Sequence, residues 1–268
     1  GSDIVVSAGQ ATAGGASAKL GEPEEADQDE EDDEAPIGLE IWPSARALLE
    51  WLSQRTITGA PDLSGKTLLE LGAGTGFLAM EVSEPAGAVG AHKVYATEGE
   101  PQVFANMQRL VRSRGAEGRV HTVRWNWEET AVVPADIPLE DVDLVLGSDL
   151  VYVGTAEDEL ADALAELLRS CRARPGLRAL LMLCDRAPGG EQFLPNPRPD
   201  SGTRAVDRFL TACEARRLRP QELPLPGDLE VPGLSRLHER LNPRAEEPLR
   251  LFEVTASIDR HAAEARAE

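Results

Sequence analysis

Residues 67–77, Thr-Leu-Leu-Glu-Leu-Gly-Ala-Gly-Thr-Gly-Phe (TLLELGAGTGF), carry a short apolar run into three glycines at alternate positions and then into the start of a helix. Glycine adopts positive φ freely and has no Cβ, so a strand-to-helix turn built this way brings backbone close to a ligand. Three ligands come into question. A nucleotide-phosphate loop requires Lys followed by Ser or Thr after its glycines, to meet phosphate and magnesium. Phe77, Leu78 and Ala79 stand there instead, which argues against an ATP phosphate. The dinucleotide fingerprint G-x-G-x-x-G wants its third glycine where this chain has Phe77, and Gly76 falls one position early, so that fit is poor. What remains is a glycine turn preceded by a carboxylate, Glu70, at the end of a strand.

Outward from this turn, apolar strands and amphipathic helices alternate. Strands are expected at 67–71, 93–97, 119–125, 142–147 and 177–184, and helices from Phe77 to about Ser83, at 101–114 and at 156–173. Upstream, IWPSARALLEWLSQR predicts a helix entered at Pro43-Ser44, with Leu48, Leu49, Trp51 and Leu52 as its apolar face. Downstream of a Pro/Gly-rich loop at 187–203, a helix from about Arg204 to Arg216 precedes two segments, RPQELPL and PLRLFEVTAS. Both read as strands with no helix between them, which makes an antiparallel pair at one edge. The expected fold is α/β: one doubly wound, mostly parallel seven-stranded sheet with helices on both faces and an antiparallel edge pair. Residues 1–35 are expected to be a disordered acidic arm, 36–260 the folded domain and 261–268 a flexible tail.

Composition narrows the function classes. The 268 residues are 41% apolar and 28% charged, with a formal net charge of −20. Residues 22–34, EPEEADQDEEDDE, hold ten carboxylates and no basic side chain, so roughly half of the net charge lies in one segment that serves as a solubilising tail or as a docking arm for a basic partner. Strong acidity argues against nucleic acid, whose binding rests on Lys and Arg at phosphates. A basic protein surface is the better match. Cys171, Cys184 and Cys213 form no C-x-x-C and read as reduced thiols of an intracellular protein. No apolar stretch is long enough to span a bilayer, and no basic-then-apolar leader is visible, so the expected location is the cytoplasm, with the nucleus open. His92, His121, His238 and His261 make no metal-spaced cluster, and no metal is expected.

A second carboxylate sharpens the ligand. Glu98 ends the next strand, KVYATE, where an acid in doubly wound sheets accepts hydrogen bonds from ribose hydroxyls. Two carboxylates also favour a cation over a polyphosphate. S-Adenosyl-L-methionine, with a ribose, an adenine, an amino-acid end, a sulfonium and no phosphate, answers each feature.

ELGAGTG after a strand, an acid ending the next strand, and LGSDLVY at the fourth resemble the seven-strand S-adenosylmethionine-dependent methyltransferases. IWPSARAL, ATE, WNWEE and the Asp-x-x-Tyr of SDLVY together are similar to the family-16 protein methyltransferases, mostly lysine modifiers of non-histone proteins, over about residues 37–258. The resemblance implies a protein substrate and a set of roles. Trp42 lines the cofactor pocket, while Gly72, Ala73 and Gly74 lie under the cofactor's amino-acid portion. Glu98 holds the ribose, Trp127 rather than Trp125 flanks adenine, and Ser148 is the small residue before the Asp-x-x-Tyr. Glu70 orients backbone groups or the ligand's ammonium indirectly. Asp149 receives and orients the incoming amine, and Tyr152 lines its channel; the bland alternative for these two is capping of the helix that follows. Asn126-Trp127-Glu128 departs from the commoner arrangement around the adenine contact. A monomer is expected. Methylation of small molecules or of protein histidine, and a non-catalytic binding module on the same scaffold, stay open because fold does not fix the acceptor.

Overall fold

The computed structural model describes residues 37–152, 157–170, 176–185, 204–226 and 249–257, all within one compact unit, Ala35–Glu268. The acidic arm, the 187–203 loop and the C-terminal tail expected from sequence lie outside the described residues.

A 3-10 turn, Ile37–Leu39, leads into α1 (Pro43–Ser53), whose Pro43 occupies the first turn, where its missing N–H leaves no bond unmade. A short α2 (Arg55–Thr58) ends on Gly59, and the alternation then follows. Its first half is β1 (Thr67–Leu71), α3 (Phe77–Val82), β2 (Lys93–Glu98), α4 (Pro101–Ser113), β3 (Val120–Arg124) and β4 (Leu144–Ser148). The second half is α5 (Glu157–Ser170), β5 (Arg178–Cys184), α6 (Ala205–Ala215), β6 (Leu218–Leu223) and β7 (Leu249–Ala256).

The sheet has seven strands in the order β3-β2-β1-β4-β5-β7-β6. The first five in that order pair in parallel, and β7 runs antiparallel to both β5 and β6. The expected antiparallel pair is thus present, with its later strand inserted between β5 and the edge. That leaves β6 outermost, and an edge strand tolerates Pro220, which has no N–H for a second neighbour.

Leu68–Leu71 of β1, Leu144–Gly147 of β4 and Ala179–Cys184 of β5 are buried without interruption, as strands covered on both faces must be. Two apolar clusters flank them. One gathers Leu69, Leu71, Val145 and Leu181 with Leu160, Leu164 and Phe209 from α5 and α6. The other gathers Leu68, Val94, Leu146 and Leu180 with Leu48, Leu52, Leu78 and Met107 from α1, α3 and α4. Strand order reverses between β1 and β4, and in open parallel sheets ligands bind outside the carboxyl ends of the strands at such a switch point.

Candidate active site

The turn after β1 is built on left-handed backbone. Gly72, Gly74 and Gly76 have φ of +56°, +55° and +75°, a conformation that a β-carbon strains. Ala73, buried between them, donates its N–H to the Thr97 carbonyl at 2.8 Å, tying the turn to β2. Glu98, the last residue of β2, accepts from the Gly74 amide at 3.0 Å and from the Gly99 and Glu100 amides at 2.8 and 3.0 Å. An ionised carboxylate has about four acceptor positions, so Glu98 holds the glycine turn and keeps capacity for one more donor, such as a hydroxyl.

Glu70 is 1% exposed on β1. Burial pushes its carboxyl up to about 8; the Ala79 amide in the first turn of α3 pulls it back, and the Glu98 charge adds to the rise. Its Oε2 has no hydrogen-bond partner, and a buried unpaired oxygen of this kind calls for a donor or a cation. Glu98 thus ends β2, and Glu70 stands one residue before the end of β1 with its carboxyl on the Ala79 amide.

The two tryptophans separate clearly. Trp125 is 2% exposed, belongs to the core and donates its Nε1–H to the Thr130 carbonyl at 3.0 Å. Trp127 is half-buried, and a β-carbon added to Gly72 would lie 3.0 Å from its Cη2. The indole of Trp127 thus rests against the glycine turn, whereas that of Trp125 packs in the core. Trp42, half-buried at the N-cap of α1, accepts the Ala45 amide on its carbonyl at 3.1 Å.

β4 ends at Ser148, half-buried, and the chain turns at once. Asp149 has φ +55° and is 8% exposed, and its amide donates to the Met182 carbonyl of β5 at 2.9 Å. Left-handed backbone in a residue other than glycine concentrates at functional sites, where surrounding contacts enforce it. Tyr152, three residues on, is half-buried. The loop after β4 thus adjoins the glycine turn after β1 in the switch-point crevice.

Two contributors were not anticipated from sequence. The Gly38 carbonyl lies 3.2 Å from where a β-carbon on Gly74 would sit, so the 3-10 turn before α1 closes over the glycine turn. Leu150 reaches the same turn from the other side. Neither residue type carries a chemical signature, which is why pattern reading passed over both.

The donor set suits a cationic nucleoside. It offers two acidic side chains, one of them with a buried unpartnered oxygen, a half-buried glycine turn and a half-buried indole. No group of three or more His, Cys, Asp or Glu able to hold a metal occurs among the described residues.

Comparison with known proteins gives the same direction. The family described as lysine methyltransferase matches residues 24–194. The protein N-lysine methyltransferase METTL21A of Danio rerio is 31% identical over 148 residues, 52% of this chain, and the chain spans 62% of that relative's length. Among solved structures, the CcbJ methyltransferase from Streptomyces caelestis aligns with TM-score 0.51 at 13% identity, covering 84% of this chain and 94% of that one. The [4+2]-cyclase SpnF aligns with TM-score 0.51 at 16% identity, covering 83% and 86%. A methyltransferase and a cyclase on one scaffold share the fold alone, so the chemistry has to be argued from the site.

Proposed function

Because this chain belongs to the lysine methyltransferase family, we propose that it transfers the methyl group of S-adenosyl-L-methionine to the lysine amine of a non-histone protein. The observation that carries the reading is Asp149, a buried carboxylate on left-handed backbone at the carboxyl end of β4, beside a glycine turn that two further carboxylates attend. When bound, the cofactor supplies an electrophilic methyl on a sulfonium. The chain supplies alignment, since direct displacement requires no covalent intermediate.

Gly72, Ala73 and Gly74 offer backbone to the amino-acid portion, Glu98 its remaining acceptor position to the ribose, and Trp42 and Trp127 apolar faces to the rest. Glu70 contributes negative potential to a cationic ligand, and Ser148 leaves room for the methyl's path. An acceptor lysine, with a reference pKa of about 10.4, must shed a proton before attack. Asp149 pairs with the incoming ammonium and orients the amine once its proton has passed to solvent water, while Tyr152 lines the channel. The acceptor is a protein with a basic surface, drawn by the chain's acidity.

Asp149→Asn tests the reading. Asn tolerates left-handed backbone, so the variant should keep its thermal stability and bind S-adenosylmethionine within about threefold of wild type. It should nevertheless lose at least 100-fold in labelling of lysate proteins from the methyl-labelled cofactor, since misplacing a reacting group by about 1 Å can cost roughly 10²-fold. Retained labelling, or wild-type protein that takes up no cofactor in calorimetry, would refute the assignment.

A further inference from the structure

Leu150 follows Asp149 and is 6% exposed. Its two methyls divide between two glycines: Cδ2 lies 2.6 Å from the place a β-carbon on Gly72 would take, and Cδ1 lies 2.6 Å from the corresponding place on Gly147. Trp127 Cη2 completes the contact on Gly72 at 3.0 Å, and Leu181 Cδ2 that on Gly147 at 2.9 Å. Both distances to Leu150 are shorter than a real β-carbon accepts, so the leucine fills a notch left where the turn after β1 and strand β4 each present a glycine. One wall of the notch is the turn under the cofactor's proposed position, and the other is β4 itself. Asp149 sits between Gly147 and Leu150 in sequence, with its amide tied to β5 and its backbone at φ +55°. A left-handed residue other than glycine carries a backbone cost and persists only where its surroundings over-determine it. The ladder bond to Met182 ties Asp149 to β5, and the seated leucine holds it from the side of the loop.

We propose that Leu150 is a positioning residue: by wedging both methyls into the notch between Gly72 and Gly147, it fixes the left-handed turn at Asp149 and couples the aim of that carboxylate to the glycine turn. The proposal deepens the methyl-transfer reading and rests on it for the role of Asp149. Close-packed interiors transmit a displacement of this kind, because a side chain that fills its site has no alternative rotamer open to it.

The test compares Leu150→Ala, Leu150→Val and Leu150→Met with Leu164→Ala. Leu164 is a fully buried leucine of α5 in the same cluster, so its truncation reports a general loss of packing. Two readouts are used: exchange of the Asp149 amide with deuterated solvent, relative to the Leu146 amide, and the initial rate of lysate labelling from methyl-labelled S-adenosylmethionine at saturating cofactor. Leu150→Ala should speed relative exchange at Asp149 at least tenfold and cut the labelling rate at least tenfold. Leu164→Ala should lower the melting temperature without either effect. Valine, too short to reach both glycines, should fall between, and methionine should restore most of both signals; the valine variant carries the test if alanine prevents folding. Equal exchange in Leu150→Ala and Leu164→Ala overturns the proposal. If wild type labels nothing, the methyl-transfer reading fails on its own, and the exchange comparison still decides the part played by Leu150.

Discussion

Glu70 is a buried acid whose protonation depends on what occupies the crevice. Its folded pKa is pushed up to about 8 by burial, above the ordinary carboxylate range that holds in the unfolded chain. Below that ordinary range both states carry the proton and folding does not depend on pH through this group. As pH rises toward 8 the unfolded chain gives up the proton first, so stability falls across that window and levels off above it. Comparing urea midpoints of wild type and Glu70→Gln should show the glutamine variant gaining in relative stability from about pH 5 to pH 8 and no further. A cation bound nearby reverses the preference and favours the ionised carboxylate. S-Adenosylmethionine affinity measured by calorimetry should therefore rise with pH through that range and be accompanied by proton release in buffers of different ionisation heat. S-Adenosylhomocysteine, without the sulfonium charge, should show a smaller slope. Gly74→Ala probes the turn itself, since a β-carbon there combines φ +55° with the Gly38 carbonyl at 3.2 Å. It should destabilise the fold by about 1–3 kcal/mol and weaken cofactor binding at least tenfold. The glycine turn and the carboxylates Glu70 and Glu98 could be singled out in the sequence because chemistry and spacing mark them, whereas Asp149 and Trp127 were singled out through the family resemblance. Leu150 and Gly38 were not, since an aliphatic side chain or a carbonyl acquires its place only when segments distant in sequence meet at the glycine turn.

The longer helices and the strands followed the periodicity closely, because a strand buried on both faces reads as an unbroken apolar run and each long helix shows an apolar stripe; α2, which buries no residue, had no such signal. The position of β7 between β5 and β6 was the part that pattern could not supply, since pairing order depends on contacts distant in sequence. Its consequence is local and electrostatic. Arg250, near the start of β7, forks onto Glu222 of β6 at 3.0 and 2.8 Å and reaches Asp185 at 3.4 Å, while its guanidinium lies 4.9 Å from the centre of the Phe252 ring. Arg204 shares Asp185 at 3.1 Å. Asp185 is 6% exposed, and its Oδ1 has no partner, so it depends on these two cations. Arg250→Ala should therefore destabilise by about 2–4 kcal/mol in denaturant titration, since breaking one partner of a buried pair leaves a charge poorly compensated. Arg250→Lys should recover less than half, because an ammonium cannot make the forked contact or lie flat on the ring. A loss under 1 kcal/mol for the alanine variant would show the cluster to be a solvated surface network.

For the molecule as a whole, the net charge of −20 has two consequences of opposite sign when salt is added. Like charges confined in a folded chain repel, and screening relieves that repulsion within a Debye length of about 10 Å at 0.1 M. The melting temperature of the free protein should accordingly rise as sodium chloride goes from 20 to 200 mM. Attraction to a basic acceptor protein is weakened by the same screening, and it acts on encounter rather than on chemistry. Over the same salt range the Michaelis constant for such an acceptor should increase several-fold while the turnover number stays within a factor of two. Removal of residues 1–34, which carry the run of ten carboxylates, decides where the attraction originates. If the arm docks the acceptor, the truncated chain should show a high Michaelis constant even at low salt and little further response to it. If the arm is a solubilising tail, the truncated chain should keep the full salt dependence, and the acidic residues that remain after position 34 would then be what the acceptor meets. In either case the turnover number should not change, because the groups proposed to align amine and methyl lie in the crevice between β1 and β4, and screened surface charge does not move them.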